Sequence, residues 1–280
     1  MFLIKTTVQF ALAIIPPFFT QKAKALAKRM ESRTIKKKRK TGNGGEALEN
    51  ERETAAEDAA LQERLIKSKE RVQKHGEVFT PNWMVKMMLS NPPIKEKLAD
   101  VHATFFEPSA GVGAFLMEIL RQKLAHVNAA KHLRGSNWKY ETLWALMSIY
   151  GIELLPDNLR EARENMLLVF AENYEAKTGR LLSSDEDLYR STLAVIEANI
   201  VQGNTLTHKD AAGELITFSE WRQNPKHPHK VLRVPFTYDS MFHEEETAGE
   251  VDLFAATEET MAVRYREVDL MQVWREECNT

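Results

Sequence analysis

The stretch that decides the fold is Phe106-Glu107-Pro108-Ser109-Ala110-Gly111-Val112-Gly113-Ala114-Phe115, in which a short apolar run leads through a glycine turn into an amphipathic helix. Glycine at such a turn lets the backbone approach a ligand where a side chain would collide, and the N-terminus of the next helix offers free N–H groups. A dinucleotide site would carry a third glycine at the position of Leu116. The stretch therefore predicts either a ligand loop of another kind or a plain structural turn in an α/β domain.

Short apolar runs alternate with amphipathic helices from residue 104 onward, which is typical of a mostly parallel sheet with helices on both faces. Strands are predicted at 103–106, 148–153, 199–202 and 215–218, and helices at 112–127, 157–174 and 184–198. Further extended runs are predicted at 231–238 and 261–268. An inserted loop around 132–140 would account for the long separation of the first two strands.

Charge is distributed unevenly along the 280 residues, although the net charge is only -2. Residues 1–45 carry about +10 and residues 236–280 about -9. The basic run Lys36-Lys37-Lys38-Arg39-Lys40 suits contact with the phosphates of a nucleic acid, and a solvated, disordered arm is the equally weighted alternative. Because Cys278 is the only cysteine, the chain has no intramolecular disulfide, and we expect a cytoplasmic protein.

The apolar residues between Val8 and Phe19 resemble the core of a signal peptide. Pro16 and Pro17 interrupt this run, which is also too short to cross a bilayer as a helix. We therefore expect no secretion and no membrane span. A membrane-surface segment, a partner-docking segment and an upstream translation start each account for the run equally well.

The glycine turn resembles the first motif of the N6-adenine DNA methyltransferases, in which Glu-Pro precedes two glycines and an aromatic residue. In that family the loop wraps the methionine half of S-adenosyl-L-methionine. The resemblance therefore implies cofactor contacts at Glu107, Pro108, Gly111 and Gly113.

A second segment, His75-Gly76-Glu77-Val78-Phe79-Thr80-Pro81, precedes the turn and resembles the family's element that closes over the cofactor. The resemblance gives Phe79, Thr80 and Pro81 contacts with the amino-acid end of S-adenosyl-L-methionine. The same residues also have a structural explanation, in which Thr80 caps the next helix and Pro81 occupies its first turn. The two roles are compatible.

Two further motifs follow in the family's order. Tyr150-Gly151-Ile152-Glu153-Leu154 places Glu153 at the carboxyl end of a strand, where a carboxylate can bind ribose hydroxyls, and an exposed helix cap is the alternative. Ile200-Val201-Gln202-Gly203-Asn204-Thr205-Leu206 resembles the third motif, with Asn204 where the family usually has Asp beside the adenine amino group. An amide oxygen can still accept a hydrogen bond from that group, so a weaker contact is expected.

The family's catalytic motif is missing. Members have Asn or Asp, Pro, Pro, then Tyr or Phe after the fourth strand, and the aromatic ring stacks on the flipped base. The look-alike Asn91-Pro92-Pro93-Ile94 precedes the cofactor loop and is interpreted as a helix terminator. At the expected spacing stands Ser219-Glu220-Trp221, either a divergent acceptor site or a strand end with Trp221 buried under the C-terminal segment. Catalytic residues are therefore left unassigned, and no metal site is predicted.

The resemblance implies a Rossmann-like methyltransferase fold over residues 75–235, after a basic flexible arm (1–45) and a helical linker (46–74) and before an acidic extension (236–280). It implies an S-adenosyl-L-methionine-dependent adenine-N6 DNA methyltransferase or a modification component of a restriction-modification system. DNA and a separate specificity or catalytic subunit are the expected partners, since the roughly 60 residues after Trp221 are too few for a target-recognition region. The alternatives are an inactive cofactor- and DNA-binding subunit and a methyltransferase acting on RNA or protein.

Overall fold

The computed structural model describes residues 67–75, 77–242, 264–275 and 278–279. The predicted basic arm, most of the predicted linker and residues 243–263 of the predicted acidic extension lie outside the described residues. The helices are α1 (Lys69–His75), α2 (Asn82–Leu89), α3 (Pro92–Ala99), α4 (Ala114–Ala129), α5 (Gly135–Met147), α6 (Pro156–Thr178) and α7 (Asp187–Asn199). The strands are β1 (Phe105–Glu107), β2 (Ile149–Glu153), β3 (Ile200–Gln202), β4 (Thr217–Gln223), β5 (Lys230–Thr237), β6 (Arg264–Tyr265), β7 (Val268–Asp269) and β8 (Cys278–Asn279), and 3-10 helices span Asp239–Phe242 and Leu270–Arg275.

The centre of the fold is a parallel three-stranded sheet in the order β1-β2-β3. α4 and α5 connect β1 to β2, and α6 and α7 connect β2 to β3, because parallel neighbours need a long crossover. All residues of β2 are buried, as expected for a central strand. The chain is therefore a mixed α/β protein, and the first three predicted strands are confirmed. The edge where these strands end, at Glu107, Glu153 and Gln202, is called the carboxyl edge below.

Helix α4 packs on one face of this sheet. A β-carbon at Gly151 in β2 would lie 3.2 Å from Leu116 Cδ1, so α4 lies directly on the central strand. The predicted helices at 112–127, 157–174 and 184–198 are confirmed as α4, α6 and α7. α6 ends at Thr178 because Gly179 adopts a φ of 73°, a left-handed conformation that closes many helices.

An antiparallel hairpin of β4 and β5 covers the opposite face of the sheet. The buried core between the two layers consists of Tyr150, Ile152, Ile216, Phe218, Phe236 and Tyr238. The Phe218 ring meets those of Phe106 and Tyr150 edge to face, with centroids 6.0 Å and 5.7 Å apart, a geometry that stabilises aromatic pairs. The prediction of a fourth parallel strand at 215–218 was therefore wrong.

The connection between β3 and β4 explains this difference. Residues 203–216 contain no helix and fold back on themselves through β-bridges that pair Asn204 with Lys209 and Lys209 with Leu215. Gly203 lies against Ile216, because a β-carbon there would come within 2.4 Å of Ile216 Cδ1. The chain therefore re-enters a strand at the carboxyl edge and runs back along the sheet, which a parallel neighbour cannot do.

Of two segments before the hairpin, one differs from its sequence-based prediction and the other agrees with it. The predicted loop around 132–140 is largely helical, because α5 begins at Gly135 and buries Trp138, whose Nε1 donates to Asn128 Oδ1 at 2.8 Å. The predicted helix terminator is confirmed, since α2 ends at Leu89 and Pro92 opens α3. Among the described helices, none is both long enough and apolar enough to cross a membrane.

Candidate functional site

The glycine turn lies between β1 and α4 at the carboxyl edge. Gly111 has a φ of 55° and Gly113 a φ of 87°, which L side chains rarely adopt. A β-carbon at Gly111 would lie 3.6 Å from the Phe79 ring, an ordinary contact distance. A β-carbon at Gly113 would lie only 3.2 Å from Cα and Cβ of Ala162 in α6. Gly113 thus lets two helices approach each other, whereas Gly111 leaves room beside an aromatic ring.

Glu153, the predicted ribose ligand, is buried at the end of β2. Its Oε2 accepts a hydrogen bond from the Gly111 N–H at 2.7 Å, and its Oε1 accepts from the Leu155 N–H at 2.9 Å. The alternative prediction of an exposed helix cap is wrong because the Glu153 side chain is buried, although its hydrogen bond with Leu155 does lie at the start of α6. Because an ionised carboxylate can accept about four hydrogen bonds, Glu153 keeps acceptor capacity for a ligand.

The predicted closing segment lies against the glycine turn through Phe79. Gly76 and the His75 side chain are outside the described residues, so the segment is followed from Glu77 to Pro81 and is called the strap below. Pro81 is the N-cap residue of α2 and its carbonyl accepts from the Met84 and Val85 N–H groups. The prediction that Thr80 caps this helix was therefore wrong.

A polar network fastens the strap to the start of α6. Arg71 Nε donates to Glu77 Oε2, and its terminal nitrogens lie 3.0 Å and 3.2 Å from the Asp157 carboxylate oxygens. Arg71 also donates to Asn158 Oδ1 at 3.3 Å, and Asn158 Nδ2 lies 3.4 Å from Glu153 Oε1. Burial opposes ionisation of Asp157, but its hydrogen bond to Arg71 and the charge of Lys67 lower its pKa overall. The network therefore connects the strap to Glu153 and, through it, to Gly111.

The remaining predicted residues lie beside the turn. Glu107 Oε1 accepts from the Ser109 N–H at 3.1 Å, and burial raises the pKa of Glu107 above its ordinary value. The Pro108 carbonyl accepts from Thr205 Oγ1 at 2.5 Å, which ties the loop after β3 to the glycine turn. Asn204 Oδ1, the expected acceptor for an adenine amino group, accepts from the Leu206 N–H at 2.9 Å and retains one lone pair.

No family model, curated protein or solved structure matches this chain. The candidate site therefore rests on contacts within the chain. Those contacts bring together Phe79, Gly111 and Glu153, which belong to three separate predicted motifs.

The tripeptide Ser219-Glu220-Trp221, at the expected catalytic spacing, lies away from the glycine turn. Trp221 is buried, and its Nε1 donates to Asn199 Oδ1 at 2.9 Å. Ser219 Oγ accepts from Arg233 Nε at 2.7 Å, and Glu220 pairs with Arg222 at 2.7 Å. A cavity of about 150 Å³ beside Trp221 is lined by Trp144, Met147 and Ser148, which precede β2 at the edge opposite to the glycine turn. The alternative with Trp221 buried beside the C-terminal residues Val268 and Val273 agrees with the structure.

Sequence reasoning missed the Arg71 network and a pair formed by His208 and Asp239. Arg71 belongs to a charge-rich stretch in which no pattern distinguishes it from its neighbours. His208 stands in a polar stretch without the regular spacing of a metal ligand, and its Nδ1 lies 2.8 Å from Asp239 Oδ1. Only the return of the chain through the hairpin brings these two residues together.

Replacing Arg71 with methionine is expected to loosen the strap while leaving the sheet intact. The substitution leaves the buried Glu77 carboxylate without its cationic partner, which costs about 1–3 kcal/mol locally. We expect limited proteolysis within Glu77–Thr80 to become faster by about tenfold or more, since 1.4 kcal/mol is a factor of ten. Lys69→Met, an exposed position in the same helix, is the control. Equal cleavage rates in the two variants would show that the strap is held by Phe79 packing instead.

Proposed function

We propose that this protein is an S-adenosyl-L-methionine-dependent methyltransferase of the DNA adenine-N6 type, acting with a partner subunit that selects the target. The observation that carries the proposal is the meeting of three motifs at the carboxyl edge, where Phe79 lies on Gly111 and Gly111 donates to Glu153. Ligands of open α/β sheets bind at this edge of the strands. The choice of cofactor and of DNA comes from the family resemblance of these motifs.

The residues of the site suit this cofactor. Gly111 leaves backbone space where a side chain would stand, and Glu153 keeps about one acceptor position for a ribose hydroxyl. Glu77 Oε1 is buried and, within the described residues, has no hydrogen-bond partner. An ammonium group such as that of the methionine half would satisfy it. In this proposal Gly111, Glu153 and Glu77 hold the donor, and the Phe79 ring shields it from water.

When bound, the cofactor supplies a methyl group on a sulfonium, which a nitrogen nucleophile can attack directly. The contribution of this chain is alignment, because a nucleophile held in line with a fixed donor loses little further entropy on reaching the transition state. Arg71 keeps the strap in place, and Glu153 fixes the turn that would carry the donor.

Calorimetry with S-adenosyl-L-methionine tests the proposed pocket. We expect Gly111→Leu to weaken binding by about 100-fold, which corresponds to about 2.7 kcal/mol, because leucine would fill the space beside Phe79. Gly179→Leu is the matched control: its φ of 73° imposes similar backbone strain, but open space surrounds it. Its affinity should equal that of the unmodified protein. Absence of binding to the unmodified protein, alone or with DNA, would refute the proposal.

A catalytically inactive cofactor- and DNA-binding subunit is the second candidate. The burial of Trp221 and the engagement of Ser219 by Arg233 favour it, because neither side chain can reach a flipped base as it stands. Transfer of labelled methyl groups from the cofactor to unmethylated DNA separates the two candidates. Cofactor binding without any transfer would favour the inactive subunit.

A further inference from the structure

Resting on the proposed function, we infer that His208, held by Asp239, accepts the proton that the target amine loses on methylation. The two residues form a pair at the carboxyl edge, with Nδ1 of His208 2.8 Å from Oδ1 of Asp239. In the neutral tautomer that this contact favours, Nδ1–H donates to the carboxylate and Nε2 carries a lone pair. Both side chains are about one-third exposed, so the imidazole can meet a ligand.

The position of the pair follows from three contacts. Thr205, three residues before His208, donates to the Pro108 carbonyl of the glycine turn. The His208 ring contacts that of Tyr238 with centroids 4.9 Å apart, and Tyr238 contacts Phe106 at 5.5 Å. Phe106 immediately precedes Glu107 in the predicted cofactor motif. Tyr238 therefore connects the imidazole to β1, and Thr205 ties the same loop to the edge that holds the glycine turn.

The backbone conformation of His208 also points to a functional role. Its φ of 58° is the only left-handed value among the described non-glycine residues. The turn places its carbonyl where it accepts from the Ile216 N–H at 3.0 Å, a conformation that glycine or asparagine would adopt more easily. Left-handed side-chain residues concentrate at functional sites, where the side chain compensates for the strain. Here the imidazole gains the Asp239 contact and stacks on Phe242 at 5.0 Å.

The surroundings suit a planar acceptor. Phe242 is half-exposed and stacks on the imidazole, so its ring offers apolar surface beside the imidazole. Stacking on an aromatic ring is how proteins hold an extruded or single-stranded base. The family's missing aromatic would thus be replaced by a residue of the 3-10 helix after β5.

The step balances as follows. The lone pair of the target nitrogen forms the new N–CH₃ bond, and the breaking C–S bond leaves its electron pair on sulfur, which becomes a neutral thioether. The nitrogen then carries one proton too many, and this proton moves to His208 Nε2. The Asp239 carboxylate stabilises the imidazolium, as acids do for catalytic histidines.

The test compares His208→Asn with His227→Asn. Asparagine tolerates the left-handed conformation at 208, so the fold is kept, and His227 is an exposed loop histidine at the turn between β4 and β5. We expect His208→Asn to bind S-adenosyl-L-methionine as the unmodified protein does and to transfer methyl groups to unmethylated DNA about 100-fold more slowly. His227→Asn should transfer methyl groups at the rate of the unmodified protein.

Binding gives an independent readout. The His208 ring resonance, identified by its absence from the His208→Asn spectrum, should shift when an unmethylated adenine-containing oligonucleotide is added. An unchanged transfer rate in His208→Asn would overturn the inference and leave the proposed function standing. A shift without any methyl transfer would refute the proposed function but support an acceptor site at His208. The absence of both methyl transfer and a resonance shift would overturn the inference and the proposed function together.

Discussion

Gly113→Ala is expected to lower the free energy of unfolding by about 3 kcal/mol or more. Two effects add at this position: a left-handed conformation costs an L residue about 1–2 kcal/mol, and overpacking against fixed atoms typically costs about 1–3 kcal/mol. The second effect arises because the new β-carbon would meet Cα and Cβ of Ala162 at 3.2 Å, and a backbone atom cannot move aside as a side chain can. Denaturant titration followed by circular dichroism measures the change.

Gly179→Ala separates the two effects. Gly179 has a φ of 73°, close to that of Gly113, but no atom lies within 4 Å of the β-carbon position. We expect a loss of only about 1 kcal/mol there. Similar losses at both positions would show that α6 shifts to accommodate the alanine, and that close packing of α4 on α6 contributes little.

Lys123→Met is expected to destabilise the protein by about 3 kcal/mol or more. The Lys123 side chain is fully buried, and its Nζ lies within hydrogen-bond distance of the carbonyls of Asp100, Val101 and Ala103, at 2.6–3.1 Å, and of Ser148 Oγ, at 2.8 Å. Methionine fills similar volume but leaves several buried acceptors without a donor, at about 1–3 kcal/mol each. The loop before β1 would lose the group that ties it to the start of β2.

This effect should depend on pH. Burial lowers the pKa of Lys123 to about 7 from 10.5, against the attraction of Asp100, which raises it. Between those values the unfolded chain binds a proton that the folded chain does not, so the contribution of Lys123 to stability rises with pH, by up to about 1.4 kcal/mol per pH unit. It is complete above 10.5 and lost as the pH falls through 7. The difference in unfolding free energy between the unmodified protein and Lys123→Met should therefore widen from pH 7 to pH 10.

Arg121→Met, on the exposed side of the same helix, is the matched control. It should change stability by less than about 0.5 kcal/mol at either pH, since surface pairs contribute little. A pH-independent difference for Lys123→Met would mean that the carbonyl groups hold the ammonium charged over this range. The buried lysine would then be a charged structural clamp.

The two glycines of the turn are expected to have different roles, whereas the cofactor motif ascribes cofactor contact to both. Gly113 is needed for packing, because its β-carbon position is occupied by Ala162. Gly111 faces Phe79 at an ordinary contact distance and donates to Glu153, so its substitution should affect binding more than folding. Stability and affinity measurements on both positions therefore separate the structural from the functional part of the motif.

Local sequence determined α4, α6 and α7, the first three strands and the position of the glycine turn. Hydrophobic periodicity and turn residues are properties of neighbouring residues, and they identify these helices within a few residues of their observed ends. The parallel order of β1 and β2 placed Gly111 beside Glu153, because the carboxyl ends of parallel strands meet at one edge. Only the family resemblance placed Phe79 beside them.

Tertiary structure alone decided the direction of β4, the burial of Trp221 and the pairing of His208 with Asp239. The sequence pattern of a strand is the same whether its neighbour is parallel or antiparallel. Only the tight connection through residues 203–216 reverses the chain, so that β4 runs back along the sheet. That reversal carries Trp221 to the opposite edge and returns Asp239 to the carboxyl edge. Contacts between residues 31 positions apart, such as His208 with Asp239, depend on this path and leave no periodic signal in the sequence.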